Sequence, residues 1–157
     1  SFISSSTNSS QIVSGTFDAS TYNVTLSGPL FSNASTSKTI AIGSGTWTLT
    51  TNGVVWNSGV PANTTVTGTG TISLTSASAK TFIGGSASYS SVSLNQGGAG
   101  ALTITGSNTF GGITNTYSAT GATTITFTSG TTQTVTNFTA SGASGAIQPA
   151  TTMALSR

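Results

Sequence analysis

Apolar and polar residues alternate with period 2 along most of this chain. The pattern is plain at 22–26, 39–42, 46–50, 71–74, 91–94, 102–105 and 123–128. In these stretches Val, Ile, Leu, Trp or Phe falls on one side and Thr or Ser on the other, as a half-buried β-strand requires. Clusters of Gly, Ser and Asn separate them, among them Gly43-Ser44-Gly45, residues 95–100 and Ser129-Gly130. These read as turns. No stretch carries an apolar stripe at helical spacing, so the expected class is all-β.

A longer period overlies the alternation. Tyr89, Phe110 and Val135 each open an apolar-x-x-apolar group, closed by Val92, Ile113 and Phe138. Each group follows an apolar strand segment: Phe82-Ile83, Leu102 to Ile104, and Ile125 to Phe127. Self-similarity at about 20–25 residues is the mark of a solenoid, whose coils cover one another's apolar edges. The expected fold is therefore a parallel β-solenoid (β-helix) with irregular coils. A β-sandwich is the alternative, because short strands with turns every 8–12 residues also suit it.

Composition narrows the chemistry. The 157 residues include 34 Thr, 28 Ser and 20 Gly, but only four charged side chains: Asp18, Lys38, Lys80 and Arg157. Glu, His and Cys are missing from the sequence. That removes His- or Cys-based metal sites, His-dependent triads, thiol nucleophiles and disulfides. It also removes the carboxylate pair of a glycosidase. A net charge of +2 is too small for neutralising nucleic-acid phosphates. No apolar run reaches the ~18–20 residues of a membrane-spanning helix. The sequence thus predicts no enzyme, cofactor, metal or nucleic-acid partner, and no membrane span.

Five sequence pieces bear on family: 45–57 with its two tryptophans, 79–85, 89–94, 105–110 and 127–142. Together they look like segments recurrent in large repetitive β-rich proteins of phages and uncultivated bacteria. Over 16–142 the chain resembles parallel β-helix proteins of virion fibres and cell-surface adhesins. The resemblance implies a structural role, carries no catalytic residues, and in such proteins the pattern sits inside a longer chain.

Several features are candidate sites. Trp56 precedes Asn57-Ser58-Gly59 at a strand end and is expected either to stack on carbohydrate or to lie in the core. Trp47, within an alternating strand, reads as core. Thr-x-Thr occurs 11 times, against about 7 by composition, as alternation alone would give. Such pairs on a solenoid would suit ice binding only as a flat, regular array. Five of ten Asn residues begin an Asn-x-Ser/Thr sequon, namely Asn8, Asn23, Asn33, Asn63 and Asn137, close to the chance number in so hydroxyl-rich a chain. Ser35-Thr36-Ser37-Lys38 matches Ser-x-x-Lys by spacing but lacks the companion motifs of that enzyme class. Gly97-Gly98-Ala99-Gly100 reads as a turn.

The expected organisation is an N-terminal tail or cap over 1–15, a β-solenoid over 16–142, and a C-terminal tail over 143–157. Phe2, Ile3, Met153 and Leu155 break the Thr/Gly texture in these tails and are the expected subunit contacts. The functional expectation is a non-enzymatic structural protein, foremost a phage virion component (fibre, spike or decoration protein). The alternative is a secreted self-assembling surface filament subunit or adhesin, and the third is an ice-binding solenoid. Expected partners are further copies or other structural subunits and a cell-surface glycan, at an extracellular or virion surface.

Overall fold

The computed structural model describes residues 1–117, 123–140 and 145–149. Its strands follow one another around a three-sided coil. The first coil is β1 (Phe2–Ser4), β2 (Ser10–Gln11) and β3 (Gly15–Asp18). The second is β4 (Val24–Leu26), β5 (Leu30–Phe31) and β6 (Lys38–Ala41), and the third β7 (Thr46–Leu49), β8 (Gly53–Asn57) and β9 (Thr64–Thr67). A single 3-10 turn at Pro61–Asn63 precedes β9. Then come β10 (Thr71–Leu74), β11 (Lys80–Ile83), β12 (Ser88–Gln96), β13 (Leu102–Thr105), β14 (Thr109–Asn115), β15 (Thr123–Phe127), β16 (Thr134–Ala140) and β17 (Gly145–Pro149).

Each side of the coil stacks into a parallel sheet. The first sheet runs β1-β4-β7-β10-β12-β14-β16, the second β2-β5-β8-β11-β13-β15-β17, and the third β3-β6-β9. This is a parallel β-solenoid of about six turns. The sandwich alternative is set aside, because a sandwich pairs antiparallel strands and these neighbours run parallel. Among the described residues, no helix is long and apolar enough to cross a membrane.

After the third coil the architecture changes. The long strands β12, β14 and β16 each serve two sides, with Tyr89, Phe110 and Val135 stacked in register in their first halves and Leu94, Ile113 and Phe138 in their second. The first of these columns is the repeat expected from the sequence. The second differs by one partner: Ile113 lies opposite Leu94, not Val92. Between Tyr89 and Ser93 the strand β12 carries three residues where β14 carries Gly111 alone. This bulge displaces Val92, which is still buried in the core.

Inward side chains form continuous columns. In the first sheet one column runs Phe2, Val24, Trp47, Ile72, Leu94, Ile113 and Phe138. In the second, Leu30, Trp56, Phe82, Ile104 and Phe127 stack in register. Each such fully buried apolar side chain contributes about 1.5–3 kcal/mol. Backbone ladders and a thin apolar centre therefore hold the rod together.

The segment 1–15 supplies β1, β2 and the start of β3, and so builds most of the first coil. Of the segment 143–157, Gly145–Pro149 forms β17 on the edge of the second sheet.

Candidate functional site

Trp56 lies inside the solenoid at 0% exposure, because its strand turns that side chain inward between Leu30 and Phe82. Its ring stacks on Phe82 at 5.5 Å and meets Trp47 edge-on at 6.3 Å. The indole Nε1 donates to Tyr89 Oη at 3.1 Å and Ser58 Oγ at 3.3 Å. Ser58 and Tyr89 share a hydrogen bond of 2.6 Å, and each hydroxyl also reaches the Gly84 carbonyl. The polar tips of a Trp and a Tyr are thereby satisfied within the core. Trp56 is a core aromatic here, with no ring face open to a sugar. Trp47 is buried as well, its Nε1 donating to the Ile42 carbonyl at 3.0 Å. Tyr22, by contrast, is 63% exposed.

These rings belong to a longer file. Phe2 touches Phe17 at 5.7 Å, Phe17 touches Trp47 at 5.4 Å, and contacts continue through Trp56, Phe82 and Tyr89 to Phe110. Edge-on and offset rings at these distances are favourable arrangements.

Both lysines are buried at the corners of the coil. Lys38 Nζ donates to the Ala34 and Thr36 carbonyls at 2.6 and 2.9 Å. Its ammonium is thus occupied by the turn before β6. Lys80 Nζ donates to the Ser76 and Gly100 carbonyls at 2.8 and 2.6 Å, and burial pushes its pKa down to about 8. The Gly97–Gly100 turn folds over this lysine and over Gln96, whose side-chain amide donates to the Gly98 and Gly100 carbonyls. Lys38 and Gln96 brace the turns of their own coils, and Lys80 ties the turns of two neighbouring coils together.

The Thr-x-Thr pairs divide among the sides. Thr46 and Thr48 lie in the first sheet, Thr103, Thr105, Thr124 and Thr126 in the second, and Thr65 and Thr67 in the third. On the first sheet the outward row through Thr48 continues with Ser73, Asn95 and Thr114. Its Asn95 amide is hydrogen bonded to Ser73, Thr114 and Thr116. The pairs do not gather on one flat face.

Among the described residues, the N-terminal coil combines exposed apolar side chains with a cavity. Phe2 is 48% exposed and Ile3 68% exposed. The two point to opposite faces, since Phe2 opens the inward column and Ile3 lies opposite the outward Thr25. A cavity of about 140 Å³ lies there, lined by Phe2, Ile12, Phe17, Leu30 and Trp47 together with the polar Ser10 and Gln11. At the far end of the same column Phe138 is 38% exposed. The sequence pattern does not mark Phe17 and Phe138 as contacts. Their signal was the alternation around each, but which column each ends depends on the register of all intervening coils. Met153 and Leu155 lie outside the described residues.

No family model, curated protein or solved structure matches this chain.

Proposed function

We propose that this chain is a non-enzymatic structural subunit, foremost a rod-like component of a virion (a fibre, spike or decoration protein) at an extracellular or virion surface. One observation carries the reading: an unbroken apolar column passes through the stacked coils, so that parallel ladders around a thin core build a rod. The buried polar groups support a non-catalytic role, because Trp56, Ser58 and Tyr89 bond one another and the lysines bond turn carbonyls.

A secreted surface filament subunit or adhesin is the second reading. It is favoured by the uniform polarity of the first sheet, whose described strands all pair parallel from coil to coil, a stacking that repeats along one axis. A glycan partner, if bound, would need an exposed ring such as Tyr22 in place of Trp56.

Electron microscopy of the protein from its native source separates these readings. Particles bound to virions support the virion component. Continuous filaments of one repeating subunit support the surface polymer. Isolated monomers, free of virions and of one another, would remove both.

A further inference from the structure

We propose that Asn52-Gly53 is a covalent self-modification site of this chain, held shut in the folded rod by one backbone hydrogen bond between coils. The side-chain amide of Asn52 is the group that reacts, and the backbone nitrogen of Gly53 is its nucleophile. The inference concerns the chain's own chemistry and does not depend on what the rod assembles with.

The reaction consumes one water and needs no catalytic group. Gly53 N attacks Asn52 Cγ, and the new C–N bond closes a succinimide ring. The side-chain nitrogen leaves as ammonia, carrying off the proton that Gly53 N has lost. Water then opens the ring at either carbonyl, leaving aspartate or isoaspartate. A side chain on the following residue obstructs this attack, and Gly has none. Of the ten Asn residues, Asn52 alone precedes Gly; the others precede Ser, Thr, Val, Ala, Gln or Phe.

The structure meets all but one of the requirements. Asn52 lies exposed at the corner between β7 and β8, and its side chain makes no hydrogen bond among the described residues. Gly53 has no atom within 4 Å of where a Cβ would stand, so packing leaves the peptide free to turn. What is held is the nucleophile. Gly53 N–H donates to the Ala79 carbonyl of the next coil at 2.9 Å, at the point where Gly53 pairs with Lys80. A nitrogen donating to Ala79 keeps its proton and cannot approach Cγ. That bond must break before the ring can close.

The site sits inside the stack. β8 is paired by β5 on one side and β11 on the other, so neither end of the chain bears on it. Each conversion is one-way. It lowers the net charge of +2 by one and, as isoaspartate, adds a backbone methylene directly ahead of the strand that turns Trp56 inward. The corner between β7 and β8 then no longer matches the spacing of the coils around it. A converted chain opens there more readily than its parent, and the site records each opening between the third and fourth coils.

The test holds the full 157-residue chain at mildly alkaline pH, once in native buffer and once unfolded in urea. Mass spectrometry of proteolytic fragments follows the exchange of NH2 for OH at each Asn, and electron-transfer fragmentation separates isoaspartate from aspartate. In urea Asn52 should convert before every other Asn, and Gly53→Ala should lose most of that conversion. In native buffer Asn52 should convert at least about 100-fold more slowly. That slowing should equal the protection of the Gly53 amide in hydrogen exchange, because both wait for the same opening. Equal rates in the native and unfolded chains overturn the proposal. So does a native slowing that departs from the protection of the Gly53 amide, which places the lock elsewhere. Either result concerns this site alone, and images of native particles still decide the assembly.

Discussion

Gly43 has φ +73°, and a Cβ built on it would overlap the Ser20 carbonyl oxygen in the preceding coil. Gly53 has a similar φ of +66°, but no atom within 4 Å of where its Cβ would stand. The pair separates two costs of alanine. Gly53→Ala should cost about 1–2 kcal/mol, the penalty of left-handed backbone alone. Gly43→Ala adds a clash with backbone that cannot swing aside, and should cost about 3 kcal/mol or more. Urea unfolding of both variants checks the difference. Titration gives a second residue-level expectation. Burial moves Lys80 from 10.5 down to about 8. It moves Tyr89 from 10.0 up to about 12, partly opposed by the hydrogen bonds from Ser58 and Trp56. Between pH 8 and 10.5 the folded Lys80 has released its proton while the unfolded one keeps it, so stability rises with pH. Between pH 10 and 12 the folded Tyr89 keeps a proton that the unfolded one has lost, so stability falls. The urea midpoint should therefore peak near pH ~10. Lys80→Met should flatten the rise, and Tyr89→Phe should remove the fall.

The strands show how far alternation reaches as a guide to elements. Residues 46–49, 71–74 and 102–105 are strands within a residue of the expected bounds, because period 2 there is unbroken and both ends meet turn residues. β2 and β5 are two residues each, too short for any period to register. They form because strands in adjacent coils hold them in register. The bulge in β12 was equally hidden, since Ser90 and Ser91 suit a strand or a turn. It rests against Gly111, where a Cβ would lie 2.8 Å from the Ser91 carbonyl carbon. Gly111→Ala should cost about 1–3 kcal/mol by overpacking, a fall in Tm of about 2–4 °C per kcal/mol. In a chain lacking Ser90 and Ser91 the same alanine should be nearly free, and the two changes should fail to add. Thermal unfolding of the four chains measures that coupling.

Across the whole molecule, stability is set by how many neighbours a coil has. Interior coils are paired on both sides, while β1 and β3 end their sheets and the cavity beside Phe2 weakens the first coil further. Hydrogen exchange should therefore be fastest at the amides of 2–18 and slowest through 71–96. Uniform protection along the rod would count against that gradient. The sequence by itself determined the all-β class, the stacking of Tyr89, Phe110 and Val135, and the shortage of chemistry for catalysis, since alternation and composition are local properties that no packing can alter. Only the tertiary structure decided that Trp56 is sealed in the core, that Lys38 and Lys80 brace turns, and that Phe2 and Phe138 belong to one column. Those outcomes depend on which residues lie opposite one another across coils of unequal length, and a single bulge or a longer turn shifts every later partner.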